Sequence, residues 1–294
     1  MTPRVSILVT AFREPKTLSV ALDALTSQAQ DIDAEIIVIC PDNATAQTAA
    51  SYESVTILRD PGLGKPKALN LGLQAARGMI IVMTDGDVSI EPGALSALLA
   101  PFSEPRTGAV SSRPVSINSR DTMLGYWSHL LTEAGAHVER LERDRLGEFF
   151  ICSGYLYAIQ SGLITDIPEY ALAEDAVISH IIGAQGYQIR YAPDARVLVK
   201  YPTTYKDWLK QKVRSAGGYA QPIIANSSLR MRSFWHELLH GTLPALMYPR
   251  NFREFIWSLA LFGARLHLWL LILWRVKLRR QPLHQLWQRV ESTK

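Results

Sequence analysis

Residues 82–90, VMTDGDVSI, set Asp85 and Asp87 around Gly86, just past the apolar run Met79–Val82. Two carboxylates at that spacing repel each other unless a cation stands between or beside them. Hard oxygen ligands in an Asp-x-Asp turn suit Mg2+ or Mn2+, ions that keep several waters and bind substrate phosphates. Asp-Gly is also a common tight-turn dipeptide, so the turn takes chemical meaning only from the element it follows. A second acidic pair, Glu174-Asp175, opens the apolar stretch LAEDAVISHIIGAQG at 172–186. Acids there complement the dipole of a helix start, and spacing alone leaves that reading and a functional one equally open. Asp42 follows another apolar run, in AEIIVICPD.

The elements around these acids must position them. RVSILVTA (4–11), AEIIVIC (34–40), SVTILRD (54–60) and MIIVMT (79–84) read as strands. Between them PKTLSVALDALTSQ (15–28) opens with Pro at a helix start, and PKALNLGLQAARG (66–78) reads as a helix ended by Gly78. Farther on the sequence predicts a long amphipathic helix over 121–143. A strand pair or hairpin over 147–160 bends at Gly154, a helix spans 172–186, and two strands lie within 187–202. Continuous apolar strands separated by helices imply an α/β fold with a mostly parallel sheet covered on both faces. In such sheets ligands bind beyond the carboxyl ends of the strands, which is where Asp42, Asp85 and Asp87 fall.

Composition bounds the rest. The chain has 294 residues, 48% hydrophobic and 20% charged, so it is globular and long enough for one large domain with an appendage. Its two cysteines, Cys40 and Cys152, make neither a disulfide framework nor a metal-ligand spacing, which suits a reducing compartment. The apolar run before Arg13 is too short for a signal peptide and reads as a strand. Charge is divided: residues 1–195 hold 14 Lys+Arg against 23 Asp+Glu, and residues 196–294 hold 17 against 4. A basic tail meets nucleic acid or an anionic membrane face. This one is rich in Trp and Leu, which favours the membrane, and no nucleic-acid partner is expected.

The order of these motifs resembles the family 2 glycosyltransferases, with their GT-A fold, over roughly residues 4–219. The resemblance implies that VTAFRE, with Thr10, Ala11 and Glu14, cradles the base of a nucleotide. Where the second strand of the family ends in paired Asp residues, this chain has CPDNAT, so Asp42 is the one acid available. GKPKALNLGLQAARG is similar to the family's Gly-Lys…Ala-Leu-Asn helix and puts Lys65 near the nucleotide. TDGDV matches the DxD motif: Asp85 would hold the ribose or the metal region, and Asp87 would ligate the metal. FFICSGYLYAI resembles the lining of the donor-sugar and acceptor pocket, with Ser153 and Gly154 at its turn. AED matches the Glu-Asp motif, giving Asp175 the role of base and Glu174 a place at the helix start or on the acceptor. QKVRSAGG is similar to the Gln-x-x-Arg-Trp motif of membrane polysaccharide synthases through Gln211 and Arg214, with Ser215 in place of the Trp.

The residue types suit that reaction. Expelling a nucleoside diphosphate from a sugar carbon builds negative charge on the leaving phosphate, which a divalent ion on Asp87, with Lys65 and Arg214, would stabilise. Asp175 would take the proton of the attacking hydroxyl, and in-line attack inverts the anomeric carbon. The expected partners are a nucleotide-diphosphate sugar, a glycan or glycolipid acceptor and an anionic membrane surface. Two other functions share these features, a sugar nucleotidyltransferase and an inactive binding protein on the same fold. The first usually carries a Gly-rich loop after the first strand, where this chain has TAFREP.

The sequence divides into a GT-A catalytic domain at 1–202 and a basic, aromatic-rich helical region at 203–294. Within the latter, 205–219 reads as an amphipathic basic helix. FIWSLALFGARLHLWLLILW (255–274) is long enough to span a bilayer. Arg265 and His267 stand in its middle, and a central Arg costs about 2.5–3.5 kcal/mol on the insertion scale. A single span from a cytoplasmic body would carry Arg275, Lys277, Arg279 and Arg280 outside, against the positive-inside tendency. A hairpin with 233–248 would leave Arg250 and Arg253 in the outer loop. An interfacial helix pair on the cytoplasmic face of the membrane avoids both conflicts; the hairpin and a subunit interface in a soluble oligomer are the alternatives.

Overall fold

The four apolar runs become adjacent parallel strands. The computed structural model describes residues 4–218, 221–229, 245–278, 290 and 292–293. β1 (Val5–Thr10), β2 (Ala34–Cys40), β3 (Val55–Arg59) and β4 (Ile80–Asp85) stand in the order β3-β2-β1-β4. Four more strands extend the sheet beyond β4: β7 (Leu156–Gln160), β6 (Thr107–Ser116), β8 (Gln188–Val199) and β5 (Ser89–Ile90). The sheet is mixed: β7 is antiparallel to both β4 and β6, β6 and β8 are parallel, and β5 is antiparallel to β8.

Alternation along β1 sends Val5, Ile7 and Val9 to one face and Leu8 to the other. Helices cover both faces. α1 (Pro15–Ala29) lays Leu18, Leu22 and Leu25 on the first face, together with α4 (Ala94–Leu99). α3 (Lys65–Ala75) and α7 (Glu174–Ala184) cover the second with Ala68, Leu69, Val177 and Ile178. A short α2 (Asn43–Ala50) follows β2. The chain leaves β1 toward β2 on one side and returns through β4 on the other, so the carboxyl ends of β1 and β4 form the switch point where open α/β sheets bind ligands.

Several elements differ from the sequence reading. The α3 helix stops at Ala75, and Gly78 instead lies beyond it, donating its N–H to Ser6 Oγ (2.8 Å). Residues 147–155 form no strand, because side chains replace ladder partners there. The Cys152 N–H donates to Ser179 Oγ (3.0 Å) and the Ser153 N–H to Ser111 Oγ (2.9 Å). The two strands read within 187–202 are one, β8, bulged where its pairing with β6 jumps from Tyr191 to Arg196 past Pro193-Asp194. The predicted helix over 121–143 runs as α5 (Met123–Leu130), a π-helical segment (Leu131–His137) and α6 (Val138–Leu146).

The C-terminal region packs onto α5. α8 (Tyr205–Gly218) puts Trp208 against Trp127, with ring centroids 5.4 Å apart. A C-terminal helix, Phe252–Ile272, capped by Asn251, buries Ser258, Leu261, Ala264 and Leu268. Arg120 holds Glu254 of that helix with two charge-assisted bonds (2.8 and 3.0 Å), and the Trp127 indole donates to the Trp257 carbonyl (2.7 Å). Most of 233–248 and all of Arg279–Arg280, expected to take part in membrane contact, lie outside the described residues.

Candidate active site

Thr10 and Asp85 are register partners at the ends of β1 and β4, and the Thr10 hydroxyl donates to Asp85 Oδ1 (3.0 Å). Gly86 then turns the chain so tightly that a Cβ there would stand 2.7 Å from Ala11 Cβ. The glycine between the two acids is therefore required by the close approach of β1, and it lets Asp85 and Asp87 flank the strand ends. Lys65, the first residue of α3, places its ammonium 2.7 Å from Asp85 Oδ1 and 2.7 Å from Glu174 Oε1. One cation thus ties the end of β4 to the start of α7.

The charges follow from this sharing. Burial opposes the Lys65 charge, but Asp85 and Glu174 hold its pKa above the ordinary lysine range. Burial and the neighbouring Asp87 and Glu174 push Asp85 up, against the pull of Lys65. Glu174 also carries a burial penalty, yet Lys65 keeps it below the usual range. Among the described residues no cation is paired with Asp175: burial, then Glu174 beside it, raise its pKa to about 6 against a weaker pull from Lys65. Its Oδ1 accepts the Ala176 N–H (2.9 Å). Gly154 lies against its other oxygen, where a Cβ would come within 2.9 Å of Oδ2. Asp175 is therefore a carboxylate at neutral pH, with basicity raised above that of a free Asp.

These groups line one cleft of about 1920 Å3. Thr10, Ala11, Glu14, Lys65, Asp85, Asp87, Ser153, Gly154, Glu174, Asp175, Gln211 and Arg214 all border it. Asp42 does not. It caps α2, accepting from the Thr45 N–H (3.0 Å) and hydroxyl (2.8 Å), while its other oxygen takes the Arg13 N–H (2.7 Å). The carboxylate that borders the cleft on that side is Asp60, in the loop after β3 with Gly62, Leu63 and Gly64. Strand-end logic points equally to Asp60, since SVTILRD ends in it. Glu174, expected at the helix start or on the acceptor, is the first residue of α7 and pairs there with Lys65. Gln211 donates to the Tyr155 hydroxyl (3.2 Å), and Trp208, two turns before Ser215, supplies an aromatic wall.

A profile described as "Glycosyltransferase like family 2" matches residues 3–218. The chain belongs to glycosyltransferase family 2. Among curated relatives it is similar to a probable glycosyltransferase YdaM of Bacillus subtilis, 27% identical over 74% of this chain and 55% of that one. It is also similar to an N-acetylglucosaminyltransferase of Rhizobium meliloti, 25% identical over 90% of this chain and 66% of that one. The chain thus spans between about half and two thirds of the length of these relatives. Among solved structures it shares the fold of the mannosyltransferase PcManGT from Pyrobaculum calidifontis. That structure, in complex with GDP-Man and Mn2+, superposes with a TM-score of 0.62 at 20% identity, covering 97% of this chain and 83% of the other. This family 2 protein therefore has a GT-A fold with one apolar C-terminal helix.

Proposed function

We propose that the protein moves a sugar from a nucleotide-diphosphate sugar to an acceptor hydroxyl by direct, inverting displacement. The observation that carries this reading is the bridge from Asp85 through Lys65 to Glu174, which holds Asp175 beside the strand-end acids. Lys65 and Arg214 supply positive charge to the leaving diphosphate. Asp175 accepts the acceptor's hydroxyl proton as the new C–O bond forms and the C–O bond to phosphate breaks. The raised pKa of Asp175 makes it a better proton acceptor than a free carboxylate while leaving it ionised near pH 7.

The donor set also suits Mg2+ or Mn2+. Among the described residues no group of three or more acidic, His or Cys side chains could cage an ion. Magnesium-like ions instead bind through one or two carboxylates plus substrate phosphates, and Asp87 with Asp85 offers that arrangement. Ten acidic residues, Asp85, Asp87, Glu174 and Asp175 among them, border the cleft against seven Lys and Arg, an acidic excess that a divalent ion would offset. When bound, the ion would neutralise charge on the diphosphate. GDP-Man with Mn2+ in the Pyrobaculum enzyme supports both the donor class and the metal.

The acceptor is a glycan or glycolipid presented at the cytoplasmic face of a membrane. In support, the C-terminal helix is apolar and long enough to cross a bilayer, yet its buried face, including Glu254 and Ser258, is engaged by the body. Phe252, Ile256, Leu259, Leu266 and Leu270 face outward. Such a helix lies along an interface. A thermal-shift screen of UDP-, GDP- and dTDP-linked sugars with and without Mn2+ tests the activity. One donor should raise the melting temperature strongly, and only with metal. No stabilisation by any of them, together with no metal-dependent hydrolysis, would remove the proposal.

A further inference from the structure

On α6 the usual burial pattern is inverted. Its one buried residue is Arg140, 8% exposed, while Val138, Leu141 and Leu146 are 48%, 46% and 61% exposed. A buried guanidinium is costly unless something compensates it. Among the described residues Arg140 makes one hydrogen bond, from Nε to the Ile151 carbonyl (3.2 Å). Among the described residues no carboxylate pairs with Arg140, and its two outer nitrogens donate to no protein acceptor. Those nitrogens are not sealed inside the protein, because Arg140 borders the cleft.

The neighbouring charges do not use Arg140 either. Arg143 approaches Glu139 (3.4 Å) and Glu148 (3.3 Å), so these three compensate one another, and Glu142 is exposed at the rim. The π-helical segment Leu131–His137 precedes α6. A π turn holds an extra residue, which rotates the helix beyond it by about 100° relative to a regular helix. Thr132, Ala134 and Gly135 of that segment wall the same cleft. The distorted helix thus aims a cation inward where its own apolar residues would otherwise point.

Position along the cleft tells which substrate Arg140 meets. Lys65, Asp87 and Glu174 dominate the field at Asp85, on the donor side. Asp175 lies next, against Gly154, and it also feels Arg140. Arg140 is anchored at Ile151, three residues before Gly154. In-line attack brings the acceptor to the base from the side away from the leaving diphosphate, and the segment that anchors Arg140, Ile151 to Gly154, is the one that lies against that base.

We propose that Arg140 recognises an oxyanion on the acceptor, a carboxylate or a phosphate close to the hydroxyl that is glycosylated. Two free nitrogens of a planar guanidinium present the fork that such an oxyanion binds in bidentate fashion. This rests on the transfer reading above, which supplies the acceptor's direction of approach.

The test uses the full chain saturated with Mn2+ and UDP or GDP, whichever the donor screen selects, so that the diphosphate subsite is filled. Calorimetry then compares methyl β-glucuronide with methyl β-glucoside, and octyl phosphate with octanol. At least one anionic probe should bind about tenfold or more tighter than its neutral partner. The arm that shows the preference distinguishes carboxylate from phosphate. Arg140→Gln should abolish the preference and leave the nucleotide Kd unchanged, and Arg140→Lys should retain part of it. Equal binding of charged and neutral probes by the wild-type chain would overturn the proposal, as would a preference surviving in Arg140→Gln with nucleotide binding intact. Failure of the nucleotide to bind at all would count against the transferase reading, whereas the charged and neutral probes can still be compared without it.

Discussion

Asp175 is the residue on which the chemistry turns, and its environment fixes its pH dependence. Burial and Glu174 raise it to about 6. A base must be deprotonated, so kcat/KM should climb with pH through about 6 and then level off. An acid limb nearer 4, the range of a free Asp, would show that Asp175 is not the titrating base. Asp175→Asn should lower turnover by a factor on the order of 10²–10⁴ with donor affinity retained. Lost donor binding in calorimetry would move it to the donor site. Asp87→Ala should leave the melting temperature within a few degrees while removing Mn2+-dependent hydrolysis. Turnover that persists in that variant with chelator present would contradict its metal role. Most of these residues were legible from strand ends and motif order. The helix-cap role of Asp42 was not, because the same Asp type serves as helix cap and as ligand, and only the Thr45 and Arg13 amide contacts reveal the cap. Arg140 was invisible for a related reason: VERLERDR reads as a solvated charged helix face until the π-helical segment turns it inward.

At the scale of elements, the parallel half of the sheet could be read directly, since β1, β2 and β4 are runs of buried Val, Ile and Leu. The other half was read only in part: β7 and β8 fall within stretches read as strands, and β6 and β5 do not. β6 buries Thr107, Ser111, Ser112 and Ser116, and β7 comes straight after a loop held by serine hydroxyls. Polar residues with internal partners carry no hydrophobic period. The C-terminal helix is likewise more integrated than its composition implies. Arg120 and Glu254 join it to the loop before α5, and Arg120→Ala would leave Glu254 buried without its cation. The change should cost about 3 kcal/mol, seen as a melting temperature lowered by several degrees; an unchanged melt would show that the helix is held by its other contacts. Arg120 holds the Glu254 carboxyl down at about 2, the larger effect, against burial. That contribution is complete above the unfolded value near 4.5 and is lost as pH falls toward 2. Docking of the helix should therefore survive at pH 5.

For the whole molecule, basic charge and exposed apolar side chains fall in the same third of the sequence. The outer face of the C-terminal helix exposes Phe252, Leu259, Leu266 and Leu270, and residues 196–294 carry the basic excess. Deleting this helix would uncover Leu124, Trp127 and Leu130, which pack against Leu261 and Ala264, so truncation confounds attachment with stability. A cleaner variant changes Phe252, Leu259, Leu266 and Leu270 to Gln and keeps the buried face. It should no longer float with anionic vesicles at low salt, yet should hydrolyse donor at the wild-type rate. High salt should release the wild-type chain only in part, since apolar burial is not screened. Flotation unaffected by the four changes would mean that another surface meets the membrane.

Transfer by a single displacement requires Asp175 to deprotonate the attacking oxygen. Water can stand in for the acceptor, so the outcome can be read without knowing the natural one. Proton NMR should follow hydrolysis of the selected nucleotide sugar with Mn2+, at times short compared with mutarotation. The first sugar released should have the anomeric configuration opposite to that of the donor, and Asp175→Asn should release it far more slowly. A first product that retains the donor's configuration would contradict single displacement.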